Sequence, residues 1–431
     1  MPRRGVLLLL AVVAGGGIAA TLVLPDEEGR QGQPPRAASE SPRPPGTEIA
    51  PPAASESPRP PGTETAPPPD VPEPEDVPEP EAPAADRRYG PRLVIGFVDD
   101  PSFRWRPYRE QMLDRARAVG ARLVRAMVYW HRLAPRRPAA GEPPFDEPRL
   151  FELDELVAST SERGMEVMLT IWGTPAWANG GEQPNRPPHD LDDLREFARG
   201  LAARYPQVRR YSVWNEPNLE QFLAPQFDAA GKSVSVQLYA ELFRAAAAGI
   251  REGNPAALVA AGETSARGRD TPSTGPAQDS HSPARFARLL SEVRPPLAFD
   301  AWAHHPFPTS PDQPPDQRTR FPTVTLLSLA RFGRALDDWF GRERVPLWVT
   351  EYAHQTQPEE QLGVPRELQA AYAEQALSLI AAVPRVELFV WFTFRDDPTN
   401  RWESGLLDRD GRPKPAYGRF AAAARELGSS G

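Results

Sequence analysis

Two glutamates carry the strongest chemical signal in the chain. Glu216 lies in Tyr211-Ser212-Val213-Trp214-Asn215-Glu216-Pro217-Asn218 and Glu351 in Leu347-Trp348-Val349-Thr350-Glu351-Tyr352, each at the end of a short apolar run. On average residue usage, a given Trp-Asn-Glu-Pro arises by chance in about one chain in a thousand of this size. A lone glutamate after an apolar strand is more often a loop cap or an ion-pair partner. A pair is different, because one carboxylic acid can protonate a leaving oxygen while the other carboxylate attacks carbon, as glycosidic bond cleavage requires. Carboxyls about 5–5.5 Å apart give retention through a covalent intermediate. A negative charge beside a carboxylic acid also favours its protonated form, which the acid needs.

Such a pair needs elements that bring distant residues together. From about Arg87, short apolar runs alternate with longer helical patterns. Strands are predicted at Leu93–Val98, Arg122–Tyr129, Glu166–Ile171, Arg210–Trp214, Leu258–Ala261, Phe299–His304, Pro346–Thr350 and Val386–Thr393. Helices follow them, among them Tyr108–Val119, Leu191–Tyr205 and one whose stripe would be Leu368, Tyr372, Ala376, Leu379 and Val383. This repetition over residues 87–431 predicts an α/β fold, a (β/α)8 TIM barrel, with chemistry at the C-terminal strand ends and strands four and seven facing each other across the mouth. A doubly wound sheet would want a glycine-rich phosphate loop after the first strand, and there is none.

The 431 residues carry a formal charge of −8, 54 prolines and no cysteine. The missing cysteine excludes a disulfide scaffold, thiolate metal ligands, a cysteine nucleophile and a lipidated cysteine. The acidity is local: residues 26–86 hold fourteen acids against four arginines, and 19 of the 54 prolines lie in residues 25–86. The remainder is close to neutral, which argues against a nucleic-acid partner. Ala38–Pro52 recurs almost unchanged as Ala54–Pro68, and Asp-Val-Pro-Glu-Pro-Glu occurs twice between Asp70 and Glu81. With little to bury and prolines favouring extended chain, residues 26–86 are predicted to be a disordered stalk. Ahead of it, Arg3 and Arg4 precede Val6–Leu24, an uncharged run that as a helix would span about 28 Å, near a bilayer core. Residues 1–25 are therefore predicted to be a signal peptide or signal anchor, placing the rest at the extracellular face, membrane-anchored or secreted.

Residues 90–425 resemble glycoside hydrolase clan A, the retaining (β/α)8 glycosidases with Asn-Glu on strand four and a glutamate on strand seven. Gly173-Thr174-Pro175-Ala176-Trp177 and His305-Pro306-Phe307 are similar to segments of family 39-like and family 5-like bacterial enzymes. The resemblance implies Glu216 as acid/base, Glu351 as nucleophile and Asn215 on the sugar 2-hydroxyl. Arg125 would hold the nucleophile, His305 would face the sugar, and Trp391 with Phe392 would form an aromatic floor. Trp130, Trp172 and Trp177 would line further subsites. An arginine inside an apolar strand needs a buried partner in any case, so a structural ion pair stays open for Arg125. Core packing stays open for the tryptophans, and His304 would alternate to the opposite side of its strand. Asp396 and Asp397 would contact sugar hydroxyls or cap their loop.

Phe307 departs from the resemblance, because relatives often carry a tyrosine there whose hydroxyl contacts the nucleophile. The six histidines are scattered without a His-Glu-x-x-His helix, so no metal and no cofactor are implied. The expected protein is a monomeric retaining O-glycosyl hydrolase acting on an extracellular or cell-envelope polysaccharide or oligosaccharide. A catalytically inactive glycan-binding barrel and a transglycosylase are the alternatives. The loop Pro306–Pro322 is expected to shape the cleft.

Overall fold

Strands buried on both faces read as near-continuous apolar runs, the mark of a parallel sheet covered by helices. In the computed structural model, which describes residues 93–275, 278–358, 360–399 and 402–429, eight such strands close into one barrel. They are β1 (Val94–Val98), β2 (Leu123–Tyr129), β3 (Glu166–Trp172), β4 (Arg210–Val213), β5 (Leu258–Ser265), β6 (Ala301–His305), β7 (Leu347–Tyr352) and β8 (Val386–Phe392). All pair in parallel in chain order, and β1 closes the ring by pairing with both β2 and β8. The helices are α1 (Arg109–Ala118), the single turn α2 (Trp130–Leu133), α3 (Phe151–Glu162), α4 (Leu191–Arg204), α5 (Ser235–Gly253), α6 (Pro283–Glu292), α7 (Leu329–Phe340), α8 (Arg366–Ala381) and α9 (Pro415–Ser429). The (β/α)8 barrel is thus confirmed. The expected signal segment 1–25 and stalk 26–86 lie outside the described residues. Among the described residues, no helix is long and apolar enough to cross a membrane.

Successive side chains on a strand point to opposite faces, and this alternation sorts the strands into two cores. A small inner cluster, Val98, Leu123, Met168, Ala260, Ala301, Ala303, Trp348, Leu388 and Val390, fills the barrel. A much larger outer cluster packs the other strand faces against the helices. Above the apolar plug the inner face turns polar: Arg125 Nε donates to Thr170 Oγ1 at 2.9 Å, and the Thr170 and Ser212 hydroxyls lie 2.8 Å apart.

Three sequence expectations shift. β4 stops at Val213 because Trp214 turns to φ 70°. β5 runs on to Ser265 through a bulge at Gly262/Thr264 instead of stopping at Ala261. The buried stripe of α8 is Gln369, Ala370, Ala373, Ala376, Leu377 and Ile380, whereas Leu368, Tyr372 and Leu379 are half-buried beside it. Small residues let this helix approach closely, and the buried Gln369 donates to the His354 and Ser404 carbonyls.

The β5 bulge depends on Gly262, whose φ is 96°. A Cβ there would lie 2.6 Å from the Ala303 carbonyl oxygen and 2.6 Å from the Trp302 indole, and the Gly262 N–H already donates to Tyr239 Oη at 2.8 Å. Gly262→Ala is expected to destabilise the fold by about 2 kcal/mol or more, through the forbidden φ and the overlap. An unchanged midpoint in urea denaturation would refute this.

Candidate active site

Among the described residues, only four non-glycine residues have positive φ, and three of them crowd one side of the mouth: Trp214 (70°), Glu216 (39°) and Glu263 (49°). Backbone held in sparsely populated regions needs surroundings that over-determine it. Here the Glu216 N–H donates to the Glu263 carbonyl at 2.9 Å. Asn218, fully buried, accepts from the Ser265 N–H at 2.9 Å and donates to the His281 carbonyl at 2.8 Å. The Trp-Asn-Glu-Pro-Asn segment is therefore bolted to the end of β5, which aims Glu216 over the barrel.

Seven side chains from five strands meet there. Arg125 on β2 donates from Nη1 to Glu351 Oε1 at 2.5 Å, and from Nη2 to Asn215 Oδ1 at 3.1 Å and Glu263 Oε2 at 3.2 Å. His305 on β6 places Nδ1 at 3.0 Å from Glu216 Oε1 and 3.8 Å from Glu351 Oε2, and Nε2 at 2.7 Å from Glu263 Oε2. Thr350 donates to the same Glu263 oxygen at 3.0 Å. The Arg125, Glu263 and His305 side chains have no exposure, while Glu216 and Glu351 keep 11% and 14% of theirs. Of the three carboxylates, only the predicted pair therefore reaches the cleft.

The charges hold one another in place. Burial works against the Arg125 cation, but the Glu263 and Glu351 carboxylates beside it prevail and raise its pKa. Burial works against an ionised Glu263 too, and the Arg125 charge with the hydrogen bond from His305 overcomes it, lowering its pKa to about 2. Burial disfavours the imidazolium of His305, yet the Glu351 charge and hydrogen bonds to Glu216 and Glu263 raise its pKa to about 10. Opposite charges within hydrogen-bonding reach can outweigh desolvation in this way. Among the described residues, no group of His, Asp and Glu is arranged to hold a metal ion.

The structure brings Glu216, Glu351, Asn215, Arg125 and His305 together, but His305, expected to face the sugar, is fully enclosed between Glu216 and Glu263, and the aromatics move as well. Trp391 is not the floor: it points outward, fully buried against Phe420 and Tyr352, with Nε1 donating to the Ser404 carbonyl. Alternation along β8 sends Leu388, Val390 and Phe392 inward instead. Phe392 stands at the mouth beside Phe307 and Trp402, with ring centroids 6.3 and 5.6 Å away. Trp130 is not a subsite either, since it is buried among Trp177 and Phe197 at the start of α2.

Trp172 stays half-exposed at the end of β3, edge-on to Tyr129 and His131, and its Nε1 donates to the Phe222 carbonyl. Trp177 donates to the Ala134 carbonyl and stacks on Arg137, a packing role. His304 faces outward, bonded to Thr264 Oγ1 and the Val324 carbonyl. Asp396 pairs with the buried Lys414 and Asp397 with Arg106, so both hold their loop. Tyr352 packs on Phe389 and Trp391 and does not replace the hydroxyl that Phe307 lacks. The loop after β6 is tied down, its Gln313 carbonyl accepting from His354 and its Thr309 carbonyl from Arg267.

Glu263 is the functional residue that sequence reasoning missed. Its signal was a glutamate inside Leu258-Val259-Ala260-Ala261-Gly262-Glu263-Thr264-Ser265, where an acid among apolar strand residues demands a buried partner.

A closed parallel barrel with two glutamates converging from the ends of β4 and β7 is the arrangement of clan A glycoside hydrolases, and this chain has it. The model of the cellulase family, glycosyl hydrolase family 5, matches residues 97–391, and the chain belongs to it. Solved structures with the same fold include a family 39 glycoside hydrolase from Bacteroides cellulosilyticus WH2, with 18% identity and a TM-score of 0.55 over 78% of this chain and 64% of that one. A GH5_18 enzyme from Streptomyces cattleya has 18% identity and a TM-score of 0.57, over 80% of this chain and 82% of that one. Exo-beta-1,4-mannosidase Op5Man5 from Opitutaceae bacterium strain TAV5 has 18% identity and a TM-score of 0.52, over 78% and 60%. This chain thus spans less than two thirds of the first and third of these proteins. A search of curated protein sequences finds no match.

The two aromatic positions on β8 separate in a simple experiment. Phe392→Ala should lower kcat/KM on an aryl glycoside by about 10-fold or more with little change in stability, through loss of a stacking face. Trp391→Ala should instead destabilise the fold by about 3–5 kcal/mol. Denaturation midpoints and kinetics on both variants check the assignment, and the reverse pattern would overturn it.

Proposed function

We propose that the chain is a retaining O-glycosyl hydrolase of β-linked sugars, working by double displacement with Glu351 as nucleophile and Glu216 as acid/base. The observation that carries this reading is one ring nitrogen, His305 Nδ1, lying 3.0 Å from Glu216 Oε1 and 3.8 Å from Glu351 Oε2. Carboxyls that share so close a neighbour suit direct attack better than the wider spacing that admits a water between them. Arg125 occupies Glu351 Oε1, so Oε2 is the oxygen that attacks the anomeric carbon. The bond to the leaving oxygen breaks as Glu216 gives it a proton. Glu216 then takes a proton from water, whose oxygen displaces Glu351 from the glycosyl enzyme. With Asn215 Oδ1 held by Arg125, its Nδ2 amide protons are what it offers to a sugar hydroxyl. The apolar C–H face of the sugar would rest on Phe392 and Trp172.

The names of similar structures support β-linkages, among them the exo-beta-1,4-mannosidase, a beta-xylosidase from Caulobacter crescentus and the Streptomyces cattleya GH5_18 in complex with Manb1-4GlcNAc. The apolar run Val6–Leu24 and the proline-rich stretch behind it support a substrate outside the cell, an extracellular or cell-envelope glycan, met by an enzyme secreted or tethered to the membrane.

Glu351→Ala should reduce turnover of aryl glycosides by at least about 1,000-fold, since Glu216 is engaged as the acid/base and Glu263 has no access to the cleft. Glu216→Ala should keep forming the glycosyl enzyme on a 2,4-dinitrophenyl glycoside, and azide should restore turnover by resolving it to a β-glycosyl azide. Failure of azide to rescue that variant, or an azide product of inverted configuration, would count against the assignment.

A further inference from the structure

Glu263 is a third carboxylate in the cluster, yet it has no access to substrate. Its place on β5 is set by the bulge. Gly262 pairs with Ala303 and Thr264 with His304, so Glu263 is the extra residue between two registered pairs. Bulges of this kind re-aim a side chain. Here one oxygen, Glu263 Oε2, receives donors from three strands: Arg125 Nη2 on β2, His305 Nε2 on β6 and Thr350 Oγ1 on β7. Its main-chain oxygen accepts from the Glu216 amide. Glu263 thus touches the acid/base through the backbone and, through His305, through the side chain.

An ionised carboxylate only accepts hydrogen bonds, so the Nε2 of His305 that faces it must carry a proton. The groups facing the ring are then Glu263 from β5, Glu216 from the β4 end and Glu351 from β7, with the Arg125 cation from β2 beyond the carboxylates and His304 its neighbour in the chain. Arg125 and His305 supply two positive charges and Glu263 and Glu351 two negative ones. The cluster is neutral when Glu216 carries the proton that an acid must deliver.

We propose that Glu263 is a positioning residue that keeps His305 protonated on both nitrogens. The Nδ1–H then holds Oε1 of Glu216, and Oε2 is presented, with its proton, to the glycosidic oxygen. The proposal rests on the glycosidase reading of Glu216. Without the Glu263 charge, the buried ring becomes neutral, its Nδ1 competes for the Glu216 proton, and acid assistance fails while attack by Glu351 persists. A Glu263 that only stabilises the fold would slow all substrates alike.

Two readouts on the full chain test this. In long-range nitrogen–proton spectra of 15N-histidine-labelled protein at pH 8, the resonance that vanishes in His305→Gln should be an imidazolium with both nitrogens protonated. In Glu263→Gln the same ring should become neutral. In the second readout, kcat/KM of Glu263→Gln should fall by about 100-fold on aryl glycosides with poor leaving groups and by less than about 5-fold on a 2,4-dinitrophenyl glycoside, which needs little proton donation. A neutral His305 in the wild-type protein, an imidazolium that survives Glu263→Gln, or equal losses on both substrate classes would overturn the proposal. Absence of any glycoside turnover by the wild-type protein would overturn the proposed function instead, and the spectra would still decide what Glu263 does to His305.

Discussion

Arg125 puts a full positive charge inside a parallel barrel, on a strand that is otherwise Leu-Val-x-Ala-Met-Val-Tyr and with no contact with water. Such a charge is tolerable only if it is paired and every donor is used. Its guanidinium reaches one acceptor on β3, one at the end of β4, one on β5 and one on β7. The need to satisfy this one side chain therefore fixes where four strand ends lie relative to one another. Glu351, the Asn215 amide and Glu263 are all positioned as consequences of it. The structural ion pair that the sequence left open for Arg125 is present, and the same guanidinium reaches Glu351 and Asn215.

A second layer of constraint comes from alternation. The inward positions of β8, Leu388, Val390 and Phe392, and the outward ones, Phe389 and Trp391, are all apolar and aromatic enough to fit either face. The family resemblance offered Trp391 together with Phe392 as the sugar floor, and the barrel puts Trp391 in the outer core and leaves Phe392 at the mouth. Trp130 misled in a similar way, since proximity to a strand end does not distinguish a residue that faces the mouth from one that starts a helical turn over Phe197.

The barrel itself was legible because buried parallel strands leave eight apolar runs separated by helical patterns, and the pair was legible because Trp-Asn-Glu-Pro is rare and sits on one of them. The β5 bulge was not. Gly262 reads locally as the end of a strand, and what carries the strand through it is remote: the Tyr239 hydroxyl accepting its N–H, and the Glu216 amide holding the Glu263 carbonyl. Local patterns also could not show that His304 and His305, adjacent in sequence, divide between a packed outer site and the charged centre.

The charged residues all come from strands or from the turn directly following one, while the long segments between β3 and α4 and between β6 and α7 contribute none of them. The molecule is therefore divided between a part that must change all at once and a part that can change piecemeal. Exchanging any one of Arg125, Glu263, His305 or Glu351 strands a buried charge on its neighbours, so these positions are energetically coupled and can drift only together. The long segments after β3 and β6 hold no buried charge of this kind. Substitutions in those segments can therefore accumulate one at a time, whereas the charged centre tolerates change only as a block.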